Sequence, residues 1–251
     1  MIDPLREKME KEVKIINSKH LGKETSVASY GRYGLAILLF PATTDKFTEA
    51  EENGLIDKLA RPIEKGKCKI FTVESVNFES WLDKNKSDKE KSDRLYEYNS
   101  YILEEVMPYV FGECGGPVPV ITAGAGIGAY HAANTYFRRP DVFYGTIALS
   151  GTYNIEHFSN GYFDENCYYN SPVHYLPNLR DNYWLSFLMS RHHVYMLSGS
   201  GDGEFPENTA HISSILSEKG VPHYTDFWGK EWGHNWETWN EMFLHLLESK
   251  L

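Results

Sequence analysis

The stretch VITAGAGIGAYHAANTYFRRPDVF, residues 120–143, decides how this chain is read. It opens as an apolar strand, bends through Gly124, Gly126 and Gly128, and continues as a helix over residues 129–138. Glycine at alternate positions of a bend lets a strand and a helix approach where side chains would collide. Upstream, strands are expected at 12–17, 25–30, 35–40 and 68–73, and a further one at 117–122 leads into the bend. The run LAILLF at 35–40, stopped by Pro41, has the unbroken apolar character of a strand covered on both faces. Leu55, Ile56, Leu59 and Ile63 lie at helical spacing and predict a helix over 52–64. The charge run DKNKSDKEKSD, 83–93, reads as a solvated insertion or as the start of a second helix that reaches about residue 108.

Downstream, a strand at 143–149 is followed by a Tyr- and Asn-rich irregular excursion over 154–181. A strand at 193–197, a helix at 206–219, a strand at 222–228 and a helix at 236–247 complete the chain. Strands alternating with helices imply an α/β architecture, a three-layer sandwich around a mostly parallel sheet of about eight strands. No repeat or low-complexity linker divides the 251 residues, so one domain is expected over 1–251, with 154–181 placed like a lid.

Composition narrows the function classes. The formal charge is −10 and no basic stripe is present, which argues against nucleic acid and an anionic membrane surface as partners. The opening MIDPLREKMEKEVKI is charged and lacks the apolar segment of a secretory signal, so a cytoplasmic location is expected. Cys68, Cys114 and Cys167 are too few and too scattered for a disulfide framework or a zinc site, and no other spacing suggests a metal or a cofactor.

A strand–glycine turn–helix of this kind is the geometry of the nucleophile elbow G-x-S-x-G, whose nucleophile sits on a strained backbone above a helix N-terminus that can stabilise an oxyanion. Here the middle position is Gly126 and has no side chain. A rival reading is G-x-G-x-x-A, the dinucleotide fingerprint, through Gly124, Gly126 and Ala129. That motif opens the first βαβ unit and is followed about 20 residues later by an acid at a strand end; this turn is mid-chain and the next strand ends in ALSGTYN. His234 stands just before the last helix, where a base belongs in the order nucleophile, acid, histidine. The loop SGSGDGEF after strand 193–197 offers Asp202 as the expected acid and Glu204 as the alternative. Thr122 and Ser150 are the nearby hydroxyls, one expected to be buried in its strand and the other too far from the bend to replace a serine.

With these residues in place the chain, from about residue 26 to its end, resembles the esterase D and feruloyl esterase-like family of α/β hydrolases. The resemblance lies in FPATTDKF after the third strand, SVNFESW after the fourth, GAGIGAYHAAN with RPDVF at the bend, IALSGTYN beyond it, and GHNWETW near the end. It implies ester hydrolysis through a serine, a histidine and an acid, with an acyl-enzyme intermediate. Carried over by position, His234 matches the base, Asp202 the acid, the Ile127 amide one oxyanion donor, and Thr43 or Thr44 the other. Gly126 departs from the pattern, since without a hydroxyl no covalent intermediate forms. Three readings follow: a weak or silent esterase homologue, a pseudoenzyme that still takes a small ester or acyl ligand; a non-serine enzyme using a His234–Asp202 general-base dyad; or an esterase whose serine has been replaced in this chain. Dinucleotide binding is the outlier. Trp232, Trp236 and Trp239 around His234 read as core of the last helix or as a pocket wall, and aromatics in the excursion would suit a homodimer.

Overall fold

The structure is a computed structural model that describes residues 9–191 and 193–251. The first eight residues of the charged opening, and His192, lie outside them. Eight strands form one sheet: β1 Lys11–Ser18, β2 Lys23–Tyr30, β3 Leu35–Phe40, β4 Cys68–Val73, β5 Val120–Ala125, β6 Gly145–Leu149, β7 His193–Ser198 and β8 Tyr224–Phe227. Their spatial order is β1-β2-β4-β3-β5-β6-β7-β8. The β1–β2 and β2–β4 pairs are antiparallel, and every later pair is parallel. The bend therefore follows the fifth strand rather than the first, which removes the topological basis of the dinucleotide reading.

The apolar run of β3 serves two cores at once. Ala36, Leu38 and Phe40 face one layer with Phe71, Tyr98, Tyr130 and Met196. Ile37 and Leu39 face the other, with Ile70, Ile121, Leu197, Trp239 and Phe243. Each such buried side chain contributes about 1.5–3 kcal/mol, so a polar residue at any β3 position would strip apolar contact from one face. The principal helices are α1 Asp88–Tyr101, α2 Ile127–Arg138, α3 Pro172–Asn178, α4 Asn182–Ser190, α5 Pro206–Glu218 and α6 Trp236–Ser249. In α1 part of the charge run has a structural role: Ser87 and Glu90 close a reciprocal capping box at the helix start.

Several boundaries differ from expectation. The helix predicted over 52–64 is three short pieces, Glu49–Glu52, Leu55–Lys58 and Ala60–Glu64. Gly54 turns left-handed at φ 79°, and Pro62 has no amide to continue the ladder. The apolar spacing is nonetheless real, because Leu55, Ile56, Leu59 and Ile63 are all buried. The strand before the bend starts at Val120 rather than at residue 117, and β6 and β8 are shorter than expected. The excursion is not irregular throughout; it folds as the helices Glu156–Ser159, Glu165–Tyr169 and α3, and α4 follows it. It is tied to α2 by hydrogen bonds from Tyr130 Oη to the Asn170 carbonyl (2.7 Å) and from Asn134 Nδ2 to Asn170 Oδ1 (2.8 Å). Among the described residues no helix is long and apolar enough to cross a membrane.

Candidate active site

Gly126 stands between β5 and α2 at φ 55°, ψ −124°, a conformation that costs an L-residue of order 1–3 kcal/mol. Its amide donates to the Leu149 carbonyl at 3.0 Å, pinning the bend to the end of β6. The flanking glycines are needed for close approach. A Cβ on Gly124 would come within 2.3 Å of the Gly128 backbone, and one on Gly128 within 2.7 Å of the Phe40 and Pro41 carbonyls. At Gly126 itself there is room: a Cβ would lie 3.4 Å from His234 Nε2, 3.7 Å from the Trp239 ring and 3.1 Å from the Ala42 carbonyl oxygen. The bend thus brings strand, helix and the His234 imidazole together around a residue that has no side chain. Ile127 begins α2, so its amide has no intrahelical acceptor and sits at the positive end of the helix dipole.

His234 is fixed from behind by a glycine-rich loop. Its amide donates to the Asp202 carbonyl at 2.8 Å, and Gly201 N donates to the Trp232 carbonyl at 2.9 Å. A Cβ on Gly199 or Gly201 would run into that same Trp232 carbonyl, at 2.1 and 2.7 Å. Asn235 caps α6 by accepting from Thr238 N at 3.0 Å, and Trp239 meets the imidazole edge-on with centroids 4.9 Å apart. One-third of the His234 side chain is exposed.

The carboxylate brought to the imidazole is that of Glu204, not Asp202. Glu204 Oε2 lies 3.6 Å from His234 Nδ1, and its side chain is fully buried. Ser150 Oγ donates to Glu204 Oε1 at 2.6 Å and Ser198 Oγ to Oε2 at 3.1 Å. Burial pushes this carboxyl up, but the neighbouring imidazole and the two serine hydroxyls outweigh burial and hold it below the ordinary carboxylate range. Asp202 is exposed and reaches His234 only through its backbone carbonyl. The two acids are two residues apart, and what selects between them is nonlocal: the strand ends of β6 and β7 each present a serine to Glu204.

Ser150 is also nearer than expected, since it follows the Leu149 carbonyl that accepts from Gly126. Its hydroxyl is engaged elsewhere, donating to Glu204 and accepting from Trp239 Nε1 at 3.1 Å. It holds φ 53°, one of two positive-φ non-glycine residues among those described. Thr122 is buried as expected, with its hydroxyl on the Ala132 carbonyl at 2.8 Å.

The loop after β3 departs from its expected role. The amides of Ala42, Thr43 and Thr44 all donate to the buried carboxylate of Glu49, at 3.0, 3.0 and 3.1 Å. The hydroxyls of Thr43 and Thr44 add bonds of 2.5 and 2.9 Å. The Thr43 and Thr44 amides are therefore occupied, and the group this loop turns to the bend is the Ala42 carbonyl oxygen. An oxyanion needs donors there. Sequence reasoning missed Glu49, because an acid in a charged helical turn reads as solvated surface. Behind the loop, His131 Nε2 and Asn77 Oδ1 are 2.7 Å apart, and Asn77 Nδ2 donates to the Thr44 carbonyl at 3.3 Å. Burial alone pushes His131 down to about 3, so it packs as a neutral ring against Phe40 and Tyr98.

Comparisons with known proteins agree with this topology. No family model matches the chain, and no curated protein matches it in sequence. Among solved structures, it is similar to a ferulic acid esterase at TM-score 0.73 and 18% identity, over 96% of both chains. It is similar to an S-formylglutathione hydrolase from Agrobacterium tumefaciens at TM-score 0.71 and 12% identity, over 94% of this chain and 92% of that one. The corresponding Staphylococcus aureus hydrolase gives TM-score 0.66 and 14% identity over 96% of each chain. The chain has the α/β-hydrolase fold, in the form seen in feruloyl esterases and S-formylglutathione hydrolases.

Proposed function

We propose that this protein is an esterase homologue that binds a small ester or acyl ligand at the bend and turns it over weakly or not at all. One observation carries the reading: the point facing His234 Nε2 is the bare Cα of Gly126, in the φ, ψ of an elbow nucleophile. The loss of a serine from such a site costs about 10⁶-fold in rate where it has been measured. The second oxyanion donor is also withheld, because the loop amides are bound to Glu49. The test is turnover of p-nitrophenyl esters by the chain and by Gly126→Ser, with adduct formation by a fluorophosphonate. The unaltered chain is expected to form no adduct and to hydrolyse the ester near the buffer rate. Gly126→Ser is expected to gain the adduct. Rapid ester turnover by the unaltered chain would overturn the proposal.

A second reading has its own support. The pair His234–Glu204 is intact, with a buried, hydrogen-bonded carboxylate behind a partly exposed imidazole, as a general base acting on water would require. The dyad in that reading uses Glu204 in place of Asp202. It gains if Gly126→Ser stays inert while His234→Ala abolishes a hydrolytic activity of the unaltered chain.

A further inference from the structure

Helix α2 begins at the bend and ends in different chemistry. Arg138 is its last residue, twelve positions and about 18 Å along the axis from Gly126. Its guanidinium is largely buried, and burial lowers its pKa. Among the described residues its one hydrogen bond runs from Nη1 to Asn170 Oδ1 at 3.1 Å. That oxygen already accepts from Asn99 and Asn134, at 2.8 Å each. No carboxylate among the described residues pairs with Arg138. Its neighbour Arg139 shows the contrast, with both oxygens of Asp141 at 2.8 Å, and Arg94 is paired with Glu79 and Glu97. A deeply placed cation without a counter-charge is costly unless something supplies one.

Arg138 faces a cavity of about 370 Å³ whose apolar wall is Phe137, Tyr168, Tyr169, Tyr175 and Trp184. Arg180 and Asp181 complete the charged lining. Arg180 rests on the Pro177 and Leu179 carbonyls, and Asp181 accepts from the Tyr183 amide at 2.8 Å as the cap of α4. The lining therefore holds two cations and one anion, a net positive charge on a chain of net −10. A single unpaired guanidinium edge selects a planar monoanion, which it can hold through two parallel hydrogen bonds. Flat aromatic walls select a flat apolar body.

We propose that this cavity binds a small aromatic carboxylate, with its ring against the tyrosines and Trp184 and its carboxylate on the open edge of Arg138. The site is separate from the bend and does not depend on the reading of the bend as an esterase relic.

The probe is 2-naphthoate, followed by calorimetry and by quenching of tryptophan fluorescence. Binding is expected with a dissociation constant on the order of 0.1–1 mM. The uncharged isostere 2-naphthamide should bind about tenfold more weakly, and inorganic phosphate should not displace the naphthoate at equal concentration. Arg138→Met, which keeps an apolar stem, should lose about tenfold, with Arg138→Lys intermediate. His234→Ala should leave the affinity unaltered. If Arg138→Met fails to fold, the naphthoate–naphthamide pair on the unaltered chain still decides. Equal binding of the two, displacement by phosphate, no binding up to about 10 mM, or loss of binding in His234→Ala would each overturn the proposal.

Discussion

The two sides of the bend are built from different chemistry. On one side, the fully buried carboxylate of Glu204, bonded by Ser150 and Ser198, lies 3.6 Å from the partly exposed imidazole of His234. On the other, Gly126 presents no side chain, and the amides of the loop after β3 are occupied by Glu49. The Glu204–His234 pair is also structural, since it joins the ends of β6 and β7 to the approach to α6. A side chain at Gly126 would make no such connection and would strain the backbone at its positive φ. The contrast suggests that restoring a hydroxyl alone restores reactivity toward a phosphonylating agent more readily than turnover, since adduct formation leans less on the missing donors.

Four experiments would break or sharpen this contrast, and the largest effect is expected from acid. His131 is held neutral with its pKa down at about 3 against an ordinary 6.5. Between those values the unfolded chain takes up a proton that the folded chain refuses, so stability falls as pH drops from about 6.5 to about 3. The loss approaches about 4 kcal/mol. Urea unfolding across that range should show it, and His131→Gln should flatten the slope. A stability independent of pH there would mean that burial does not hold His131 neutral.

Next is the carboxylate behind the imidazole. In a Gly126→Ser background, Glu204→Gln should slow fluorophosphonate labelling about 10³-fold, equivalent to about 4 kcal/mol, while Asp202→Asn changes it less than about threefold. The reverse ranking would return the acid's role to Asp202. On the other side, Glu49→Gln places an amide where five donors converge, and a loss of about 3 kcal/mol is expected from denaturant titration. A neutral result would show that those amides are free to turn toward the bend. The smallest effect belongs to Gly126→Ser itself, about 1–2 kcal/mol destabilising from the positive φ, read as a lowered melting temperature.

How much of this was legible in the sequence depended on whether the deciding contact was local. Gly124 and Gly128 were legible because backbone packing against them leaves no space for another residue. So was β3, whose apolar run matches burial on both faces. Chain order alone led to the expectation that His234 stands at the bend, and its Nε2 does face Gly126. Which of Asp202 and Glu204 meets the imidazole could not be read there, because the two share a loop and the serines that bond Glu204 lie at the ends of β6 and β7. Glu49 and Arg138 were illegible for the same reason from opposite directions: a charged residue in a helix looks solvated until the fold shows that one has too many partners and the other too few. The break at 52–64 was visible in Gly54 and Pro62, but the apolar spacing masked it.

Ser150 joins parts of the chain that are remote in sequence. Its one oxygen bonds to the Glu204 carboxylate in the loop after β7 and to the indole of Trp239 in α6, while its backbone is held at a positive φ. Because that indole also abuts the imidazole, a ligand that nudges Trp239 must tug on the carboxylate as well. Glu204, His234 and Trp239 then behave as one braced frame rather than three independent side chains.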